Sequence, residues 1–503
     1  MPKRLDQVKV GAILSYLSIA LNIGAGLVYT PWMIDQIGKS DYGLYTLANS
    51  IITLFLIDFG LSASVSRFVA KYRVEGDQEK IESFLATIYK LYLLIDFIIL
   101  AVLIIVFFNL SNIYRKFSIE EIERLKVVYC IAGGYALISF PCVTFNGILQ
   151  AYEKFIPLKF ADMLYRILVI VTTVIALIKN YGLYGLVAAQ SLAGLIDIAY
   201  KYYFVRKNVS VKIKGHKVDK GEAKELVTFS LWTTVASIAQ RLIFSITPTI
   251  LGMVAANASW DIAIFGIIVT IEGYSYTITS AIDGMFLPKI SNIVTLDDSD
   301  KRLTKLAINV GKFQFFVNGL IIVGFALVGR EFILLWMGKD YLMAYYGIIL
   351  VIVPSIFYNS LQIGTTTLIV KNLVNYRAYV AIAMGLINVV LSFILSSKFG
   401  VMGACVSICI AYMFRSVFTA VIIKLKTEID IPVFVKKCYI RMSLPVLLSL
   451  LAGGWLVKLI DGTGWLHLIL CGGIIVIIYC IFVYLLGLDS DEKSQVNQRV
   501  FRR

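Results

Sequence analysis

The chain has 503 residues, of which 59% are hydrophobic and only 16% are charged, and this composition excludes an ordinary soluble globular protein. Its net charge of +15 does not indicate a nucleic-acid-binding protein, because the Lys and Arg residues lie in short breaks between apolar runs. The seven Cys and two His residues lack the spacing of a disulfide framework or a metal site.

Apolar runs of about 20 residues recur along the chain, and this length crosses a bilayer as a helix. The predicted spans are residues 10–36, 43–65, 85–108, 125–149, 158–178, 181–204, 225–252, 261–283, 306–329, 342–366, 375–397, 400–423, 440–460 and 464–487. The first run has no cleavage site of small residues, so we expect it to be retained as a helix. The sequence therefore predicts an all-α polytopic membrane protein with about fourteen transmembrane helices.

The Lys and Arg residues predict the orientation, since short loops rich in these cations stay in the cytoplasm. With a cytoplasmic N-terminus, 31 of the 47 cations fall in predicted cytoplasmic segments, 10 in external segments and six inside spans. We therefore expect both termini in the cytoplasm. The basic stretch 204–224 is predicted to be a cytoplasmic linker, and binding of anionic lipid headgroups is the alternative role.

The two halves of the chain repeat. Residues 180–185 (NYGLYG) match 398–403 (KFGVMG) at an offset of 218, Thr30-Pro31 matches Thr247-Pro248 at 217, and Pro141 matches Pro354 at 213. These matches predict two six-helix lobes related by a pseudo-twofold axis, with a C-terminal helix pair added. The predicted parts are residues 1–207, a linker 208–224, residues 225–426 and residues 427–503. Prolines inside the spans predict bent helices.

Three charged residues fall near the centres of predicted spans, namely Arg241, Glu272 and Asp96. A charge at this depth costs about 2.5–3.5 kcal/mol on insertion scales, so each one must be paired, neutralised or exposed to water. A structural Arg241–Glu272 ion pair is one interpretation. The other places Arg241 in a wet cavity, with Glu272, Asp58 and Asp96 as coupling or charge-pairing residues.

Further cations lie near the predicted cytoplasmic ends of spans, and these are Arg67, Arg166, Arg415 and Lys312. Lys312 has a stem long enough to reach the headgroup layer. The planar guanidinium group binds two phosphate oxygens at once, so a cluster of arginines predicts a site for a phosphate-bearing amphiphile.

No catalytic constellation accompanies these charges. Residues 298–300 and 489–491 each read Asp-Ser-Asp, as in the metal motif of glycosyltransferases, but neither has a nucleotide-binding domain beside it. The sequence contains no Walker A motif for ATP hydrolysis. We therefore expect a protein that is not an enzyme and that has no cofactor.

Motifs over nearly the whole chain resemble a known family. They are residues 38–45 (GKSDYGLY), 58–68 (DFGLSASVSRF), 286–291 (FLPKIS) and 332–341 (FILLWMGKDY), together with the glycines that begin spans six and twelve. The chain resembles bacterial polysaccharide or O-antigen unit flippases of the Wzx type, in the multidrug/oligosaccharidyl-lipid/polysaccharide exporter superfamily.

This resemblance implies two lobes around a central cavity in the bacterial cytoplasmic (inner) membrane. It implies transfer of undecaprenyl-pyrophosphate-linked sugar units to the outer leaflet, with Arg67, Arg166, Arg241 and Arg415 suited to the lipid phosphates. Coupling to a proton or sodium gradient or to the membrane potential is expected. The expected partners are the lipid-linked glycan, membrane lipids and a glycan polymerase or other assembly proteins, with no nucleic acid.

Three alternatives remain open at the level of sequence. A drug exporter of the same superfamily usually has twelve helices and acidic cavity residues. A lipid II flippase is expected to have a more arginine-rich first helix than this chain, which has no Arg there past Arg4. A membrane glycan polymerase needs a large external loop, and the predicted external loops are short.

Overall fold

The computed structural model describes residues 4–55, 61–208, 239, 243–280, 286–371, 373–460, 462–490 and 492–494. The first eight helices are α1 (Arg4–Ile37), α2 (Lys39–Phe55), α3 (Leu61–Glu75), α4 (Gln78–Ile113), α5 (Ile119–Cys142), α6 (Thr144–Ala151), α7 (Phe155–Ile178) and α8 (Gly182–Asn208). The next are α9 (Thr247–Val254), α10 (Ala258–Thr279), α11 (Leu287–Ile293), α12 (Ser299–Trp336) and α13 (Leu342–Ser360). The last are α14 (Gln362–Val370), α15 (Val374–Lys426), α16 (Ile431–Phe434), α17 (Arg441–Leu459) and α18 (Trp465–Phe482).

Helices account for the membrane spans. Ten helices in the described part of the chain are long and apolar enough to cross a membrane. One of them, α15, has 53 residues and holds two predicted spans, because its backbone leaves the helical conformation at Gly400. The first span is α1, the second is covered by α2 and α3, and the seventh ends in α9. The described ranges contain no β-strand, so the predicted all-α polytopic fold with about fourteen membrane helices is confirmed.

The repeat is visible in the backbone. Gly182 begins α8 with φ 55°, and Gly400 turns α15 with φ 54°, 218 residues later. Both glycines therefore adopt the left-handed region that other residues avoid. They join the fifth span to the sixth and the eleventh to the twelfth.

Pro141 and Pro248 lie at helix ends, and the predicted bends stay a prediction. Pro141 is the penultimate residue of α5, and the chain restarts as α6 after Val143. Pro354 lies inside α13, which ends six residues later. Pro248 occupies the first turn of α9, where a helix needs no N–H donor.

The chain forms two compact units. Unit 1 comprises residues 1–266 and 396–401, and unit 2 comprises residues 267–395 and 402–503. In unit 1, α7 packs on α8 and α1, while α5 packs on α2, α4 and α8. In unit 2, α12 packs on α13, α17 and α18. The units are defined by packing, and the lobe boundaries at 207 and 224 stay a prediction.

Three segments predicted to be external meet within unit 1, at the starts of α2, α5 and α10. The Ser40 hydroxyl donates to the Glu121 carboxylate over 2.7 Å, and Ser259 also hydrogen-bonds to Glu121. The Lys39 ammonium lies 4.8 Å from the ring centre of Trp260. These contacts place the three segments on one side of the membrane, as the span count requires.

Candidate functional site

The strongest cationic site in the described residues of unit 2 is built on Tyr358. The Arg415 guanidinium carbon lies 3.5 Å from the centre of the Tyr358 ring. Arg377 and Arg415 both donate hydrogen bonds to the Tyr358 hydroxyl. Arg415 is buried, with 7% of its surface exposed, whereas Arg377 and Tyr358 are partly exposed. Two guanidinium groups therefore converge on one phenol.

The helices explain this convergence. The turn at Gly400 folds α15 back on itself, so Arg377 at its start and Arg415 in its second half can approach one partner. Tyr358 is the third-last residue of α13. The cation distribution predicts that the end of α13 and the start of α15 face the cytoplasm, which would place the site toward the cytoplasmic leaflet.

An acidic residue lies near Tyr412, which also interacts with Arg415. Glu272 of α10 is buried, with 8% exposure. The Tyr412 hydroxyl on α15 interacts electrostatically with Glu272, with Arg415 and with Tyr358. Tyr412 therefore interacts with both the carboxylate and Arg415, and we refer to Glu272, Tyr358, Arg377, Tyr412 and Arg415 as the arginine–tyrosine cluster.

A buried amide network ties together α10, α12 and α13. The Asn359 amide donates to Asn318 Oδ1 over 3.1 Å and to the Thr279 hydroxyl over 3.3 Å. Gln314 donates to the Thr279 carbonyl oxygen over 2.9 Å, and Asn318 donates to the Gln314 carbonyl oxygen over 2.8 Å. Since Asn359 immediately follows Tyr358, this network holds the end of α13 in place.

Lys312 is held elsewhere in unit 2, by the C-terminal tail. Its ammonium lies 2.7 Å from an Asp489 oxygen and 2.9 Å from a Glu492 oxygen. Arg441 at the start of α17 also pairs with Asp489. The Lys312 charge is thus matched by carboxylates, and its role in substrate binding stays a prediction.

The remaining predicted site residues lie on unit 1 or outside the described residues. Arg166 is half-buried on α7 beside Tyr165. Arg67 belongs to α3, and its side chain lies outside the described part. Arg241 and Asp58 lie outside the described residues altogether. In the described residues, Glu272 and Arg415 each interact with Tyr412, and the predicted pairings of the site residues stay untested.

Sequence reasoning missed Arg377, Tyr358 and Tyr412. Arg377 sits at the very start of a span, where a cation is expected simply to orient the loop. Tyrosines are frequent in this chain, with 29 in total, so no single one stands out. Only the folded arrangement of α13 and α15 identifies these three residues.

A model of a known protein family matches more than half of the chain. A model of the family described as "Polysaccharide biosynthesis protein" matches residues 8–294. Among proteins of curated function, the comparison finds no match.

Solved structures share the fold. A structure titled "Lipid II flippase MurJ, inward closed conformation" is 18% identical, with a TM-score of 0.72 over 98% of this chain and 99% of that one. An inward-facing multidrug resistance MATE family transporter of the MOP superfamily is 14% identical, with a TM-score of 0.62 over 86% and 99%. A MOP superfamily transporter from Pyrococcus furiosus is 13% identical, with a TM-score of 0.55 over 84% and 96%. At these identities the likeness shows the fold alone.

Proposed function

Since the chain belongs to the polysaccharide biosynthesis protein family, we propose that it is a flippase for undecaprenyl-pyrophosphate-linked oligosaccharide units. It moves them from the cytoplasmic to the outer leaflet by alternating access of two lobes. The observation that carries this proposal is the convergence of Arg377 and Arg415 on Tyr358. The protein is a multi-pass membrane protein, and we place it in the bacterial cytoplasmic membrane with both termini in the cytoplasm.

The arginine–tyrosine cluster supports this function by its chemistry. A pyrophosphate carries several oxygens at fixed spacing, and a guanidinium group binds two of them with charge-assisted hydrogen bonds. Tyr358 keeps two cations close together that would otherwise repel each other. Since the cluster lies toward the predicted cytoplasmic side, it can receive the lipid headgroup where such lipids are assembled.

Other residues have supporting roles in this proposal. Arg67, Arg166 and Arg241 also bind the lipid phosphates in this proposal, and Glu272, which interacts with Tyr412, serves in charge pairing or coupling. A cation gradient or the membrane potential drives the cycle. A glycan polymerase or another assembly protein takes up the unit at the outer leaflet.

The proposal predicts how arginine variants affect transport. Arg377→Ala and Arg415→Ala are each expected to weaken pyrophosphate binding by about 10- to 100-fold, since a hydrogen bond to a charged group contributes about 1.5–3 kcal/mol. The Lys variants should lose less, because they keep the charge but not the two-pronged geometry. Binding and flipping are measured in liposomes containing the purified protein and a fluorescent polyprenyl-pyrophosphate glycan.

Arg302→Ala is the matched control, because Arg302 forms an exposed ion pair with Asp298 at the predicted cytoplasmic surface. Deletion of the gene should also cause one lipid-linked glycan to accumulate in the inner leaflet. Accumulation of lipid II would favour the lipid II alternative. If the Arg377→Ala and Arg415→Ala variants both flip the lipid at the wild-type rate, the arginine–tyrosine cluster is not part of the substrate site.

A further inference from the structure

Asp96 lies at the midpoint of the most apolar candidate span in the described chain. It belongs to α4, which runs from Gln78 to Ile113. An ionised carboxylate at the centre of a bilayer is strongly disfavoured unless a cation or water compensates for it. Asp96 therefore needs a partner or a proton.

The side chain of Asp96 lies on the packed face of α4. Tyr92, Ile99 and Leu103 are buried and recur with Asp96 at helical spacing along one stripe. Neighbours on the opposite face, such as Phe97, are exposed where lipid would cover them. Asp96 thus points toward the protein.

The helix opposite this stripe is α5. The rings of Tyr92 and Phe140 lie 5.1 Å apart, and the Tyr129 hydroxyl donates to the Leu103 carbonyl oxygen over 3.2 Å. The two helices therefore run antiparallel, and this register places Asp96 opposite residues 136–140.

Among the described residues, no cation pairs with Asp96. Its Oδ1 atom is buried without a hydrogen-bond partner. The titratable group that faces it from α5 is the uncharged Cys142 thiol. On α3, the Arg73 guanidinium donates to the Ala151 carbonyl oxygen, and Lys71 lies near the ring of Tyr72.

Helices α4 and α3 also carry the cations Lys90 and Arg67. Lys90 of α4 is exposed and lies about 1.7 helical turns from Asp96. The side chain of Arg67 on α3 lies outside the described part.

The facing stretch of α5 has a carbonyl group that lacks its usual donor. Pro141 has no N–H, so the carbonyl of Leu137, four residues earlier, loses its intrahelical hydrogen bond. The α-helical hydrogen bonding is then interrupted at Val143, whose N–H donates to the Phe140 carbonyl oxygen over 3.2 Å. A carboxyl group that carries a proton is a donor, and a carboxylate is not.

We propose that Asp96 is a proton-binding site coupled to the break between α5 and α6. A proton from water adds to one carboxylate oxygen, and the new O–H donates to the freed Leu137 carbonyl oxygen. When the proton returns to water, a carboxylate faces that carbonyl with no donor between them. The two helices then separate, and the break at Val143 is where α5 can bend.

This site is separate from the arginine–tyrosine cluster of unit 2, and it does not depend on which lipid is carried. It identifies the proton as the coupling ion and Asp96 as the residue that takes it up. The test therefore uses readouts that need no substrate.

Dicyclohexylcarbodiimide is the probe, because it modifies protonated carboxyl groups in apolar surroundings. We expect the full-length protein in lipid nanodiscs to be modified at Asp96 at neutral pH, and modification should decrease as the pH rises. Asp162 is the internal control, since its carboxylate is paired with Lys159 and Lys201 and should not react. Mass spectrometry of the Asp96 peptide measures the yield.

Infrared spectroscopy gives a second readout. The carbonyl band of a protonated carboxylic acid should be lost in Asp96→Asn and should titrate in the wild type. Absence of both the label and the band between about pH 5 and pH 9 would show that Asp96 stays ionised, and it would overturn the proposal. If the carbodiimide labelling of Asp96 and the infrared carbonyl band both stay constant over that pH range, Asp96 is a permanently protonated structural acid. That result would also overturn the proposal.

Discussion

At the level of single residues, the partner decides what each intramembrane charge does. Arg415 stacks on Tyr358, Lys312 is neutralised by two carboxylates of the C-terminal tail, and Asp96 has no cation beside it in the described structure. All three residues fit the same description in the sequence, namely a charge inside an apolar span. Their environments in the fold therefore differ, since one charge stacks on a ring, one is matched by carboxylates and one has no cation beside it among the described residues.

One prediction about a single residue concerns Arg241, and it follows from the sequence alone. We expect it to bind the substrate pyrophosphate, so transport should fall partly in Arg241→Lys and almost wholly in Arg241→Ala, at unchanged membrane abundance. Transport of a lipid-linked glycan and immunoblotting of the membrane fraction measure the two quantities.

The structural ion pair makes the opposite prediction. In that case Arg241→Ala lowers abundance because Glu272 is left as an unpaired buried charge. The double variant with Glu272→Gln then restores both abundance and transport. Full transport in the double variant would exclude Arg241 from the substrate site.

At the level of elements, two glycine turns join successive membrane helices. Gly182 and Gly400 share the same positive φ, yet their surroundings differ. A Cβ at Gly182 would meet no atom within 4 Å, whereas a Cβ at Gly400 would lie 2.5 Å from an Asp261 carboxylate oxygen. The repeat therefore preserves the backbone turn but not its packing.

This pair gives a matched prediction of stability. Gly182→Ala should cost about 1–2 kcal/mol, the strain of a non-glycine residue in the left-handed region. Gly400→Ala should cost about 1–3 kcal/mol more, because the methyl group must also displace Asp261. Thermal unfolding of both variants in the same detergent measures the difference. Equal losses would mean that the Asp261 contact does not constrain the turn.

At the level of the whole molecule, the cation distribution predicts the orientation in the membrane. Cysteines introduced at Ser40 and Ser259 should react with an impermeant thiol reagent in intact cells, and cysteines at His216 and Arg503 should react only after lysis. The contacts of Ser40 and Ser259 with Glu121 already require that these two positions share a side. External labelling at position 216 would reverse the orientation, and the arginine–tyrosine cluster would then lie toward the outer leaflet.

The sequence by itself predicted the all-α class, the membrane helices and the glycines that recur in its two halves. These features depend on local properties, since a membrane helix needs only apolar length and internal hydrogen bonds. The turn glycines were also visible in the sequence, because no other residue type tolerates a left-handed backbone equally well. The matched residues 180–185 and 398–403 contain the two glycines that the structure places in turns of the same conformation.

Only the tertiary structure decided which side chains meet. Tyr358, Arg377 and Arg415 come from two helices, and no spacing in the sequence relates a residue near the end of α13 to one in the second half of α15. The tail that neutralises Lys312 lies 177 residues away in the chain. Such contacts depend on how the helices pack, and in lipid that packing is set by close fit and polar contacts between helices.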